Sequence, residues 1–205
     1  PFNLSQLTGR HIAKVAANHS VKILGSIAPL EDCYSPEIYP GAEIAKEEFT
    51  LFTNWLNDAG IDGFILETMN NIQETTICLE VIKKFKLPVW VSFNLLDSSH
   101  IKSGEKLKEA IKMTSKFDVE CILLNCNPIE RTRESMKIIS KNFSKWGIYP
   151  NLGIGEPSPD GVISDYYTDE DFINICKDAI NLGASIIGGC CGTSPRHIKL
   201  LLDRL

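Results

Sequence analysis

Two adjacent cysteines, Cys190 and Cys191, lie between glycines in residues 186–195, whose sequence is IIGGCCGTSP. Successive side chains of a strand point to opposite faces, so neighbouring cysteines can serve one centre only where the strand ends and the backbone turns. The glycines permit such a turn and let the backbone come close to a metal or a substrate. The stretch therefore predicts a metal site at a strand end, followed by a helix that Thr193 or Ser194 can cap.

A third cysteine, Cys126, has the same context, because residues 122–128 (ILLNCNP) run from an apolar strand into a polar turn. Three thiolates from two strand ends would leave one position of a tetrahedral zinc ion open, which is the arrangement of catalytic rather than structural sites. Other interpretations stay open at this point. Cys126 alone is typical of a small buried hydrophobe, and Cys190 with Cys191 is compatible with a vicinal disulfide or two idle thiols.

The other four of the seven cysteines differ in context. We interpret Cys78 and Cys176 as helix-face residues and Cys121 as strand core, while Cys33 lies in a polar loop without an assigned role. Scattered cysteines in odd number do not resemble a secreted disulfide framework. The sequence also has no apolar run of about 18 residues and no basic-then-apolar leader. A cytoplasmic protein that does not span a membrane is therefore expected.

The overall composition favours chemistry on small molecules. With 43% hydrophobic and 23% charged residues, the 205-residue chain is expected to fold as one globular domain with a sizeable core. Its formal net charge of −5 offers no basic face for nucleic acid or acidic lipid.

Helices and strands are predicted to alternate along the chain, in the α/β pattern of a parallel sheet covered by helices. A first helix is predicted over residues 12–19, and a later one over residues 104–117. The loop over residues 30–45 is long enough to indicate binding. Residues 153–164, which are rich in Gly and Pro, are interpreted as an ordered active-site loop. The six predicted strands, which are nearly continuous in apolar residues, cover residues 21–27, 61–66, 88–93, 119–125, 147–151 and 184–189.

Polar or reactive residues end all six of these strands. In a (β/α)8 barrel the carboxyl ends of the strands carry the active site, whereas a doubly wound sheet concentrates it at a switch point. The spread of candidates therefore favours a TIM barrel, here lacking its first two strands, with residues 1–205 forming a single, N-terminally incomplete domain. In chain order the candidates are Ser26, Glu67, Ser92, Asn125 with Cys126, Tyr149 with Asn151, and Cys190 with Cys191.

Six segments, which span the chain in order, resemble the zinc-dependent homocysteine S-methyltransferases. That family includes the betaine and S-methylmethionine enzymes and the homocysteine domain of cobalamin-dependent methionine synthase. Its members begin with two strands that have no counterpart in this sequence, and neither long loop matches one subfamily, so the methyl donor stays open. The matching segments are residues 24–29 (LGSIAP), 66–69 (LETM), 90–93 (WVSF), 125–126 (NC), 149–151 (YPN) and 188–193 (GGCCGT).

The resemblance implies that Cys126, Cys190 and Cys191 bind Zn²⁺ and that Glu67 holds the ammonium group of homocysteine. A free thiol is mostly protonated at neutral pH, whereas a zinc-bound thiol is deprotonated, so homocysteine at the open position would be a thiolate ready to accept a methyl group. The expected enzyme is a homocysteine S-methyltransferase that forms methionine. The remaining candidate substrate contacts, each also typical of a polar strand end, are Ser26, Ser92, Asn125, Tyr149 and Asn151.

Two alternatives belong to other functional classes. One is a non-catalytic, truncated barrel that keeps a structural or redox-sensing zinc-thiolate cluster. The other is a thiol-redox enzyme using Cys190 and Cys191, which is the weaker because that role favours Cys-x-x-Cys. The expected partners are homocysteine and a methyl donor, without nucleic acid or membrane, and a homo-oligomer is compatible with the sequence. No histidine is assigned to the metal, and the four are His11, His19, His100 and His197.

Overall fold

Six parallel strands form one sheet in the part of the chain that the computed structural model describes, residues 21–154 and 165–205. Their order across the sheet is β1-β2-β3-β4-β5-β8, and every neighbouring pair is parallel. The strands are β1 (Leu24–Ile27), β2 (Gly63–Met69), β3 (Val89–Phe93), β4 (Cys121–Asn125), β5 (Trp146–Tyr149) and β8 (Ile186–Ile187). A separate antiparallel pair consists of β6 (Gly153–Ile154) and β7 (Asp165–Tyr166).

The helices occupy the connections between the parallel strands. Neighbours in the sheet follow one another in chain order, without the reversal that marks a doubly wound sheet, so the predicted barrel class is confirmed over the six described strands. None of the helices within the described ranges is long and apolar enough to cross a membrane. The helices are α1 (Ala42–Asp58), α2 (Ile72–Ile82), α3 (Leu107–Thr114), α4 (Ile129–Asn142), α5 (Asp169–Asn181) and α6 (Pro195–Arg204).

Three of the six described helices begin at capping residues that the local sequence supplies. The Asn71 side chain caps α2 by accepting a hydrogen bond from the Glu74 backbone N–H at 2.7 Å. Thr168 and Asp171 cap α5 reciprocally. Ser194 is the N-cap of α6, as predicted, and Pro195 is its first residue.

The predicted bounds of one loop and one helix were wrong. The loop expected over residues 30–45 ends at Gly41, whose φ of +99° lets the backbone turn into α1 at Ala42. A short 3₁₀ helix, Pro36–Ile38, lies within this loop. The helix expected over residues 104–117 is limited to α3, because bridges join Leu95 to Ile101 and His100 to Lys106 in the preceding turn.

Two predictions cannot be compared with the structure. The helix at residues 12–19 lies outside the described residues, and so does most of the loop at 153–164. The ends of that loop are described, and they form the β6–β7 pair.

The core lies between the sheet and its helices. Alternate residues of the strands, such as Phe64, Leu66 and Val91, are fully buried. The helix-face interpretation of Cys78 and Cys176 and the strand-core interpretation of Cys121 agree with the structure, in which all three are buried. The parallel arrangement brings the carboxyl ends of all six strands to one edge of the sheet, where the candidate residues lie.

Candidate metal centre

Three thiols meet at this carboxyl edge. The Sγ atoms of Cys126, Cys190 and Cys191 all lie within 4.8 Å of one another, the only such group of potential metal ligands among the described residues. The Cys126 and Cys191 sulfurs are 3.5 Å apart, and those of Cys190 and Cys191 are 4.0 Å apart. Sulfurs bound at about 2.3 Å to a tetrahedral zinc ion would be separated by about 3.8 Å. The donor set and its spacing therefore fit a zinc ion with one further position.

The same geometry bears on the alternatives for the cysteine pair. A disulfide requires an S–S distance of about 2.05 Å, whereas Cys190 and Cys191 are free thiols 4.0 Å apart. Cys126 is only 8% exposed, and its sulfur lies 3.3 Å from the Tyr34 hydroxyl oxygen and 3.5 Å from the Cys191 sulfur. The three residues thus form one cluster of free thiols.

The turn after β8 directs both neighbouring cysteines to this cluster. The Cys190 N–H donates to the Pro150 carbonyl at 3.1 Å, and the Leu152 N–H donates to the Cys191 carbonyl at 2.9 Å. The Cys190 carbonyl accepts from both the N–H and the hydroxyl of Thr193, at 3.1 and 2.7 Å. A side chain on Gly189 would collide with Thr193, since its Cβ would lie 2.5 Å from the hydroxyl oxygen. The glycine is required by space.

Cys126 is held by a left-handed backbone after β4. Its φ is +55°, a region that few residues other than glycine adopt, and its N–H donates to the Tyr149 carbonyl at 3.2 Å. Such strain persists only where neighbouring structure enforces it and is frequent at functional sites.

The enforcing structure includes Asn125. Its Oδ1 accepts from the Thr68 N–H at 2.9 Å and from the Ser92 hydroxyl at 2.6 Å, and its Nδ2 donates to the Thr68 hydroxyl at 3.1 Å. Thr68 itself has φ of +58°. These bonds tie the ends of β2, β3 and β4 together, so the hydrogen-bonding groups of Asn125 and Ser92 are used within the protein.

Asn127 is a second asparagine whose side-chain amide ties neighbouring segments together, and it was not predicted as a site residue. Its Oδ1 accepts from the Leu95 N–H at 2.8 Å, and its Nδ2 donates to the carbonyls of Phe93 and Asn125 at 3.1 and 2.8 Å. It fixes the turn that begins beyond Cys126. Only its full burial distinguishes it from an ordinary loop asparagine.

The thiols of Cys190 and Cys191 have pKa values shifted in opposite directions. The pKa of Cys191 is lowered, because Cys126 and Cys190 donate hydrogen bonds to its thiolate. The pKa of Cys190 is raised by its hydrogen bonds with the same two groups, Cys126 first and then Cys191. The cluster therefore favours at least one thiolate, the form that binds metals.

The remaining predicted site residues differ in environment. Glu67 is partly buried at the end of β2, and Ser26 is exposed in β1. The Tyr149 hydroxyl is buried without a hydrogen-bond partner among the described residues. Burial, and next the negative charge of Glu67, raise the pKa of Tyr149. Asn151 accepts from the Gly153 N–H at 2.8 Å, which occupies its side chain in a turn.

Two loop residues beside the cluster were not predicted as site residues. The Tyr34 hydroxyl lies 3.3 Å from the Cys126 sulfur. Its neighbour Cys33 is half-buried, and burial, then the charge of Asp32, raise its pKa to about 11. The sequence signal for these two residues was the length of their loop, residues 30–41. That length predicted a binding loop but did not identify which of its side chains would lie at the site.

Neither described histidine joins the cluster. His100 is paired with Asp97 at 2.9 Å, and the His197 Nδ1 accepts from the Ser194 N–H at 3.0 Å at the start of α6. His11 and His19 lie outside the described residues.

A cavity of about 740 Å³ lies at the opposite end of the sheet, among the starts of β3 and β4. Its rim includes Lys83, Lys86 and Lys116. In barrels of this class the amino end of the strands serves stability rather than chemistry, so this cavity receives no functional assignment.

Comparison with known proteins identifies the family. A model of the homocysteine S-methyltransferase family matches residues 4–205. The chain belongs to this family.

Individual family members agree with this result. Homocysteine S-methyltransferase 2 of Arabidopsis thaliana is 30% identical over 156 residues, which are 73% of this chain and 47% of that protein. Selenocysteine Se-methyltransferase of Brassica oleracea var. italica is 30% identical over 156 residues, or 73% of this chain and 45% of that protein. This chain therefore spans about half the length of the curated relatives it matches.

A solved structure supports the fold. The metallated form of the homocysteine methyltransferase MmuM from Escherichia coli matches with a TM-score of 0.79 and 23% identity. The match covers 95% of this chain and 66% of that one. At this identity it establishes the architecture, and it confirms the predicted TIM-barrel class, of which the described residues form part.

Proposed function

We propose that the protein transfers a methyl group to the sulfur of L-homocysteine and forms methionine, within one barrel domain over residues 1–205. The observation that carries this proposal is the convergence of Cys126, Cys190 and Cys191 at the carboxyl edge of the sheet in a chain of this family.

The three cysteines would hold a zinc ion. When bound, zinc would supply a Lewis acid that keeps a substrate thiol in its thiolate form near neutral pH. The metallated state of the related MmuM structure supports a metal in this family, and the sulfur donor set favours zinc over harder ions. Three protein ligands leave the fourth position for the substrate.

Other residues would bind and orient the amino acid. The Glu67 carboxylate, partly buried at the end of β2, would accept hydrogen bonds from the substrate ammonium group. The unpartnered Tyr149 hydroxyl would gain a partner when the substrate fills the space beside Glu67. Ser26 and Asn151 are proposed to line the same edge, and Ser92 and Asn125 to shape it through their mutual hydrogen bond.

The acceptor has a second candidate. Relatives named for homocysteine and for selenocysteine are both 30% identical to this chain, so we also propose selenocysteine as an acceptor.

The decisive experiment assays the full-length, zinc-loaded protein with each acceptor against S-methylmethionine, betaine and a methylated corrinoid. We expect methylated product from at least one pair. Replacing Cys126, Cys190 or Cys191 by Ser is expected to abolish metal binding and turnover, whereas Cys176→Ser, within the buried face of α5, should retain both.

Two outcomes would contradict the proposal. Absence of product from every pair, with the metal retained, would favour a non-catalytic zinc-thiolate cluster. Equal metal content in all four variants would refute the assignment of the ligands.

A further inference from the structure

Tyr34 reaches the cluster from a different part of the chain. Its hydroxyl oxygen lies 3.3 Å from the Cys126 sulfur, a separation suited to an O–H···S hydrogen bond. A metal-bound thiolate carries no proton, so in the metal site the phenol must be the donor. Tyr34 as a whole is 43% exposed, so the contact is made by the hydroxyl end of a side chain that lies at the rim of the site.

The turn around Tyr34 holds its backbone in place. The Asp32 carboxylate accepts from the Tyr34 N–H at 3.0 Å and from the Ser35 hydroxyl at 2.9 Å. The Ser35 N–H donates to the Asp32 carbonyl at 2.9 Å. An aspartate that closes its own turn in this way restricts the two residues that follow it.

Two buried groups fasten the turn to the barrel. The Glu74 carboxylate, whose residue is 2% exposed, accepts from the Leu30 N–H at 2.8 Å. The equally buried Asn70 donates from Nδ2 to the Cys33 carbonyl at 3.2 Å. On the ring side, the Lys102 ammonium lies 5.5 Å from the Tyr34 centroid. The position of the phenol is thus set by contacts on both sides of the loop.

We propose that Tyr34 is a positioning residue of the metal centre, which donates its hydroxyl proton in a hydrogen bond to the Cys126 thiolate. This role rests on the proposed metal site. Three thiolates leave a Zn²⁺ site with excess negative charge, and a hydrogen bond to one sulfur disperses that charge and fixes the orientation of the ligand.

The test compares Tyr34→Phe with Tyr39→Phe in the full-length protein. Both variants lose one phenol oxygen from the same loop, but the Tyr39 hydroxyl is buried and has no partner among the described residues. The probe is Co²⁺ in place of zinc, because its sulfur-to-metal charge-transfer bands report both the number of thiolates and their electron donation.

For Tyr34→Phe we expect unchanged band intensity, a shift of the bands to lower energy, and metal affinity lower by about 10- to 100-fold in chelator competition. The shift follows because a sulfur without its hydrogen bond gives up an electron more easily. Tyr39→Phe should behave as the wild type. Asp32→Ala, which keeps the phenol and loosens its turn, should give an intermediate shift.

Three outcomes would overturn this role. One is a Tyr34→Phe spectrum and affinity equal to the wild type, and another is an equal change in Tyr34→Phe and Tyr39→Phe, which would indicate a general effect on the loop. The third is a wild-type protein that binds no cobalt, which would refute the metal site itself. Cobalt binding without methyl transfer would instead contradict only the proposed reaction.

Discussion

At the scale of single residues, the tasks proposed for Glu67 and for the cysteines can be tested separately. Strand β2 pairs with β3 in regular register up to Leu66. Glu67 is the next residue, and it is followed by Thr68, whose backbone is in the left-handed region. Thr68 is tied by its backbone and hydroxyl to Asn125, the neighbour of Cys126. The carboxylate that would hold the substrate and the thiol that would hold the metal are therefore fixed by one hydrogen-bonded junction.

We expect Glu67→Gln to weaken homocysteine binding and to leave the metal in place. A hydrogen bond to a charged group contributes about 1.5–3 kcal/mol, so KM should rise by about 10- to 100-fold with little change in kcat. Steady-state kinetics and zinc content on the same samples measure the two effects. An unchanged KM would show that the ammonium group is bound elsewhere.

At the scale of elements, the turn between β8 and α6 carries two of the three thiols. Its shape depends on Gly189, because a Cβ there would displace Thr193 from the carbonyl of Cys190. Gly60, after α1, offers a contrast, since its φ is +82° but nothing lies within 4 Å of its Cβ position.

Gly189→Ala should therefore lower both metal affinity and stability, with an overpacking cost of about 1–3 kcal/mol. Gly60→Ala should cost about 1–2 kcal/mol through its left-handed backbone and should keep its metal. Thermal unfolding and zinc analysis of the purified variants test the difference. If both variants retain zinc equally, the space around Gly189 does not control the turn.

The elements also show which features the sequence could predict. All six parallel strands were found because each combines an apolar run with a turn, and the three thiols because each ends such a strand. Tyr34 was missed because its importance depends on Glu74 and Asn70, which hold the loop from another element. The helix predicted to contain α3 was too long, because the spacing of apolar residues does not reveal the backbone bridges that precede α3.

At the scale of the whole molecule, two carboxylates give stability opposite dependences on pH. The pKa of Asp97 is lowered to about 2, first by the Ser99 N–H and then by His100. Its contribution is present above the ordinary value of 3.8 and is lost as the pH falls towards 2. Burial raises the pKa of Glu74 above 4.5, so its contribution is lost as the pH rises through the folded-state value.

We expect the free energy of unfolding to fall between about pH 4 and pH 2, and to fall less steeply in Asp97→Asn. Glu74→Gln should instead flatten the dependence above pH 4.5. Urea unfolding at a series of pH values measures both slopes. Curves parallel to the wild type in these windows would contradict the assignments.

The order of the strands also has a consequence for synthesis. Cys126 is made 65 residues before Cys191, and two further strands, β5 and β8, must dock in turn before the three thiols can meet. The proposed metal centre is thus completed only after the last of these six described strands has been made. A chain that stops before Cys190 would lack two of the three proposed ligands, so a bound ion would mark a sheet whose six described strands are in place.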